Sequence, residues 1–169
     1  YVPEMADFGT TITIAHLLHH TSGVRDYLRL QGLAGYPADE PFTERGFLLM
    51  MARQKALNFA PGSEHLYSNS GYALLAIIVK RASGLSLRDF AAKEVLGPLS
   101  MTRSQFRDDH TMPIPNRAEG YAPRATGYRL SVPTFDMVGS GGLFASAREL
   151  AKWDPTDLPA SIGTPRLTT

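Results

Sequence analysis

The stretch that most limits what this chain can become is Tyr72 to Val79, an unbroken apolar run bounded by Asn69 and Ser70 on one side and by Lys80 and Arg81 on the other. Leu74, Leu75, Ile77, Ile78 and Val79 leave almost no polar face, so the spacing predicts a helix that other elements must surround. Asn69 or Ser70 is the expected cap, and the two cations suit the helix end. The run is far shorter than the roughly 20 residues a bilayer-spanning helix requires. No membrane span is therefore expected, and the run is read as the centre of a core. The chain has 169 residues, 43% hydrophobic and 20% charged, which suits one soluble globular domain.

Shorter helices flank this one. Thr13 can cap a brief helix through Ile14, Leu17 and Leu18 that ends at Thr21-Ser22-Gly23. Thr43 opens a second, amphipathic one, with Phe47, Leu48 and Met51 recurring at helical spacing and Arg53 and Lys55 near its C-terminal end. Ser86 with Asp89 resembles a capping box and opens a helix through Phe90, Val95 and Leu96, stopped by Gly97-Pro98. Seven of the twelve prolines lie after residue 110, so regular structure should thin out there. Gly120 to Leu130 reads as a β-hairpin turning between Pro123 and Gly127. Ser146 with Glu149 caps a last helix through Leu150 and Trp153, and residues 155–169 are expected to form an irregular tail.

Charge and composition exclude several functions. Seventeen basic residues against sixteen acidic give a net charge of +1 without a basic stripe, so nucleic acid is not an expected partner. The absence of Cys removes disulfides, thiol nucleophiles and Cys-based zinc sites, yet leaves the compartment open. Tyr1-Val2-Pro3-Glu4 offers neither an initiator Met nor a signal-peptide pattern, and the expectation is an excised segment.

Three features could carry chemistry. His16, His19 and His20 share one helical turn and could face a metal, but no acidic ligand or base accompanies them, and His65 and His110 stand in unrelated contexts. Gly139-Ser140-Gly141-Gly142 lacks the Lys and the strand-to-helix setting of a phosphate loop, and reads instead as a tight turn or a close backbone approach. Tyr67 and Asn69, just before the buried helix, place a phenol and an amide on an anchored loop. Each also has a structural reading, as a packing residue and as a helix cap.

Several ordered blocks decide between these readings. Residues 10 to 27, Phe59 to Asn69, Pro98-Leu99-Ser100-Met101, Glu119-Gly120-Tyr121, and Val138 to Leu143 on to Trp153 together resemble penicillin-recognising serine hydrolases. That family comprises class C β-lactamases, D-alanyl-D-alanine carboxypeptidases and β-lactamase-like esterases. The resemblance implies a mainly α segment with a small β-hairpin, spanning residues 1–154 and similar to the helical domain of the family's α+β fold. It assigns Tyr67 and Asn69 to the Tyr-x-Asn motif. The Tyr would assist proton transfer at a nucleophilic Ser, and the Asn would hydrogen-bond the substrate amide and a catalytic Lys. The chemistry implied is acyl transfer through a serine ester, with no cofactor. The substrate would be a β-lactam, a peptidyl-D-alanine or other peptidoglycan-type bond, or a short-chain ester, in a periplasmic or secreted setting.

The family's other two motifs are missing, since no Ser-x-x-Lys, Lys-Thr-Gly, Lys-Ser-Gly or His-x-Gly occurs anywhere in the sequence. The same gap shows in the physics. A phenol titrates near pH 10, so a working phenolate at pH 7 needs roughly 4 kcal/mol of differential stabilisation, and only a close cation supplies that much. Lys55 and Lys80 lie one helix away on either side of Tyr67. The chain is therefore expected to be inert alone. A non-catalytic assembly module and a histidine metalloprotein are the rival readings, and a homo-oligomer that buries uncovered apolar surface is expected of the isolated chain.

Overall fold

The computed structural model describes residues 1–37, 40–131 and 134–153. The expected tail lies outside these residues. Helix α1 (Ile14–Leu18) begins as the sequence suggests. Thr13 Oγ1 accepts from the His16 N–H, and His16 Nδ1 accepts from the Thr13 N–H, closing a reciprocal capping box. The turn after it ends at Gly23, whose φ is +71° and whose missing Cβ would stand 2.2 Å from the Phe59 carbonyl oxygen. Only glycine fits there.

Helix α2 (Tyr27–Leu33) was not anticipated from the sequence. It is seven residues long, contains Gly32, and buries only Tyr27 and Gln31, so no apolar period announces it. Its existence depends on Asp26, which accepts from the Arg29 N–H, and on packing against its neighbours α3 and α4. Helix α3 (Glu44–Ala52) follows its expected Thr43 cap and buries Phe47 and Met51 completely.

Helix α4 (Asn69–Ser83) is the central element, packed by α1, α2 and α5 and stopped by Gly84 in the left-handed conformation. Its cap is neither Asn69 nor Ser70, as expected, but Ser68, with Asn69 already helical. The reason is tertiary. The Ser68 hydroxyl makes no capping bond, and the Asn69 N–H at the helix start is instead satisfied by Asp26 from α2's start, at 2.6 Å. Gly71 lets α1 lie close, since a Cβ there would come within 3.0 Å of the Leu17 carbonyl oxygen.

Helix α5 (Leu87–Ala91) has the expected Ser86 cap and widens into a π turn, Ala92–Leu96, closed by the Gly97 N–H donating to the Ala92 carbonyl at 2.9 Å. The hairpin pairs β2 (Tyr121–Pro123) with β3 (Tyr128–Leu130). A second antiparallel pair joins β1 (Gln105–Phe106) to β4 (Leu143–Phe144), two strands too short and too far apart in sequence to be read from pattern. Helix α6 (Ala147–Leu150) keeps its Ser146 cap and ends in a 3-10 turn, Ala151–Trp153. Among the described residues the regular structure is thus mostly helical, with two small antiparallel pairs. The main core gathers Val24, Tyr27, Phe47, Met51, Leu74 and Ile77, and a smaller cluster forms around Leu96 and Met101.

Candidate active site

Tyr67 and Asn69 come together at the start of α4. Tyr67 Oη donates to Asn69 Oδ1 at 3.1 Å. The other end of the same amide is fixed from below, where Asn69 Nδ2 donates to Asp26 Oδ2 at 2.7 Å. Asp26 is 8% exposed and accepts two further bonds, from the Asn69 N–H through the same Oδ2 and from the Arg29 N–H through Oδ1. One carboxylate therefore caps two helices and orients the amide between them. Because Asp26 performs the capping, Asn69 is released from that duty and can turn its oxygen toward the phenol.

Asn69 also lines a cleft of about 260 Å³ whose other walls include Tyr27, Leu28, Phe135 and the segment from Ser140 to Phe144. Tyr67 is not part of that lining. It stands at the surface, 56% exposed, so the phenol is open to solvent rather than sealed in packing. The glycine segment forms the cleft's far side. Gly139, at φ +105°, presses on α4 so closely that a Cβ would meet the Tyr72 carbonyl oxygen at 2.4 Å. The close-approach reading of this segment therefore fits. Ser140 Oγ and Tyr27 Oη share a hydrogen bond at 3.1 Å that ties the segment to α2. Burial pushes the Tyr27 phenol upward, partly offset by that bond, and the charge of Asp26 adds to the rise. Tyr27 thus lines the cleft with a phenol held toward its neutral form.

Other predicted features fall elsewhere. Lys80 is engaged by Glu44 at 2.9 Å on α3 and does not reach the phenol. The three clustered histidines do not share a helical turn: His16 lies in α1 and closes the capping box, His19 is the helix's C-cap, and His20 lies beyond it at φ +56° with Nδ1 accepting from the Ser68 N–H. His65 is not unrelated to them, since its ring meets His20 edge-on at 6.0 Å. Among the described residues the set of ligand-type side chains within reach of one ion is Asp109, His110 and Asp136, away from α1. His110 Nδ1 is bonded to Asp136 at 2.9 Å, and Asp109 accepts from Thr111. Asp26, Tyr27 and Ser140 are the site residues that sequence reasoning passed over. Asp26 carried one usable signal, an acidic residue at a helix start; the contacts of the other two are set by folding.

A helical scaffold with two short antiparallel pairs, holding a Tyr-x-Asn array at the start of its buried helix, defines a segment of the penicillin-recognising serine hydrolase fold. The chain belongs to the beta-lactamase family, whose sequence profile matches residues 1–167. A D-aminopeptidase of Cereibacter sphaeroides is 28% identical over 160 residues, covering 91% of this chain and 31% of that protein. The chain thus spans about a third of the length of that relative. Among solved structures, a penicillin binding protein from Bacillus halodurans superposes with a TM-score of 0.70 at 27% identity, over 83% of this chain and 44% of the other. An octameric penicillin-binding protein homologue from Pyrococcus abyssi gives 0.66 at 29% identity, over 88% and 35%.

Proposed function

We propose that this chain supplies the Tyr-x-Asn part of a serine hydrolase that cleaves an amide or peptide bond through an acyl-enzyme. The observation that carries this reading is the chain of contacts from Tyr67 Oη through the Asn69 amide to Asp26, with Asn69 facing a cleft. Such an array does what acyl transfer asks of it. Asn69 has one amide N–H committed to Asp26 and a second available to a substrate carbonyl or a neighbouring group. Tyr67, once ionised by a nearby cation, takes the proton of an attacking serine hydroxyl; that hydroxyl's oxygen bonds the carbonyl carbon, and the phenol returns the proton to the departing amine. The D-aminopeptidase relative supports an amide with a D-configured residue as the substrate class, over a β-lactam or a short-chain ester.

The serine and its cation are not part of the Tyr-x-Asn array, and the sequence has no Ser-x-x-Lys to provide them. The expected result with purified chain is no p-nitroaniline release from a D-aminoacyl p-nitroanilide and an unchanged intact mass after a fluorophosphonate probe. An adduct on any serine of this chain would overturn the claim of inertness. Joined to a Ser-x-x-Lys segment in one active polypeptide, Tyr67→Phe should lower kcat by about 10²- to 10⁴-fold. Unchanged turnover would remove Tyr67 from the chemistry.

A second reading, assembly through an apolar face, has its own observation. Ile14 and Leu18 of α1, Tyr72 of α4 and Tyr67 just before it are all between 37% and 56% exposed, and Tyr72 Oη donates to the Leu18 carbonyl, which brings α1 and α4 together there. That a homologue is octameric supports association as such, and an exposed apolar patch is the kind of surface that association buries.

A further inference from the structure

The reading of Tyr67 just given leaves open what holds an exposed phenol in place, and the contacts of His20 answer it. His20 follows the end of α1 with φ +56°, a left-handed conformation that non-glycine residues seldom adopt. In that conformation it touches three consecutive residues of the segment leading into α4. Its carbonyl accepts from the Leu66 N–H at 3.0 Å. Its ring lies 4.6 Å from the Tyr67 ring at a 40° tilt. Its Nδ1 accepts from the Ser68 N–H at 3.3 Å. Ser68 is 4% exposed and its own hydroxyl is buried without a partner, so the imidazole is what satisfies that residue's N–H.

We propose that His20 is a positioning residue for Tyr67, acting as the neutral imidazole with its proton on Nε2, and that protonation of Nδ1 releases the Tyr67 segment. The proposal rests on the catalytic reading of Tyr67 for its purpose but not for its geometry. An imidazolium has only donors, so the Ser68 N–H would face another N–H in place of a lone pair. The titratable groups packed against the ring are His65, Tyr67 and Tyr72. No carboxylate pairs with His20 among the described residues to hold the cation where it is, and Asp26, the acid of the neighbouring network, is engaged by Asn69 and Arg29.

The test is NMR on the full, isotope-labelled chain between pH 8 and pH 5, with the His20 ring signals reporting the imidazole itself. At pH 8 the ring ¹⁵N shifts should give the Nε2–H tautomer. As the ring takes its proton, the exchange protection of the Ser68 N–H should fall about five- to tenfold, the loss of one hydrogen bond, and the Tyr67 ring signals should move with it. His20→Ala should lose that protection at every pH. His20→Asn keeps an acceptor near the Nδ1 position and tolerates positive φ, so it should retain protection and make it independent of pH. An Nδ1–H tautomer, Ser68 protection that does not follow the ring's titration, or an unaltered pH dependence in His20→Asn would each overturn the proposal. None of these readouts needs turnover, so a non-catalytic Tyr67 would fail the functional reading while leaving this one standing.

Discussion

Asp26 is the residue on which the site's geometry converges. Three N–H groups end on its carboxylate, and two of them belong to Asn69. Asp26→Ala should cost about 2–4 kcal/mol, through a lost cap and buried donors left unsatisfied, and should free the Asn69 amide to turn. Chemical denaturation measures the first effect and the Asn69 side-chain NH₂ signals the second. Tyr27 offers a different reading at the same scale. Its phenol is raised, first by burial, so among the tyrosines it should ionise late in an alkaline titration followed by phenolate absorbance. The sign of the linkage follows. Stability associated with Tyr27 is complete below the ordinary phenol value of about 10 and is lost as pH rises through the raised one. Tyr27→Phe should flatten that alkaline loss in thermal melts, at the expense of the bond to Ser140.

Elements here are held by contacts as much as by their own propensities. Gly139 lies against the first turns of α4, where a Cβ would meet Tyr72 O at 2.4 Å and Ala76 Cβ at 2.7 Å, at φ +105°. Gly139→Ala should therefore destabilise the fold by about 1–3 kcal/mol or more, and a melting temperature equal to the parent's would contradict the packing described. At the end of α6, the Lys152 ammonium at 2.6 Å and then the Arg103 N–H hold the buried Glu149 carboxyl below its usual value. A lowered carboxyl contributes stability above the unfolded value of about 4.3, and that stability disappears as pH falls through the lowered one. The gap in melting temperature between the parent and Glu149→Gln should be widest near neutrality and close in acid. The caps of these elements were readable in advance, at Thr13, Thr43, Ser86 and Ser146, because each bond is made within three residues of its own chain. Helix α2 and the β1/β4 pair were not: α2 buries only Tyr27 and Gln31 and so shows no apolar period, and the two short strands pair between segments distant in sequence.

For the molecule as a whole, the apolar strip of Ile14, Leu18, Tyr67 and Tyr72 predicts self-association. Light scattering behind size exclusion should show a dimer or larger species, and Leu18→Glu should shift it toward monomer; a clean monomer at high concentration would count against that face. Tyr67 of the candidate site is itself one of the four residues of that strip. What the amino-acid order determined alone was whatever closes over short distances: the apolar stretch that became α4, four helix caps, the hairpin around Gly127, and the Tyr-x-Asn pairing that brings a phenol within reach of an amide two residues on. Folding decided the rest. It brought Asp26 across to cap α4 in place of Asn69 or Ser70, set His20 behind the phenol, and laid Ser140 against Tyr27 to close the cleft. Those placements join positions 43 to 113 residues apart, and a hydrogen bond at such separation leaves no periodic trace in the chain that makes it.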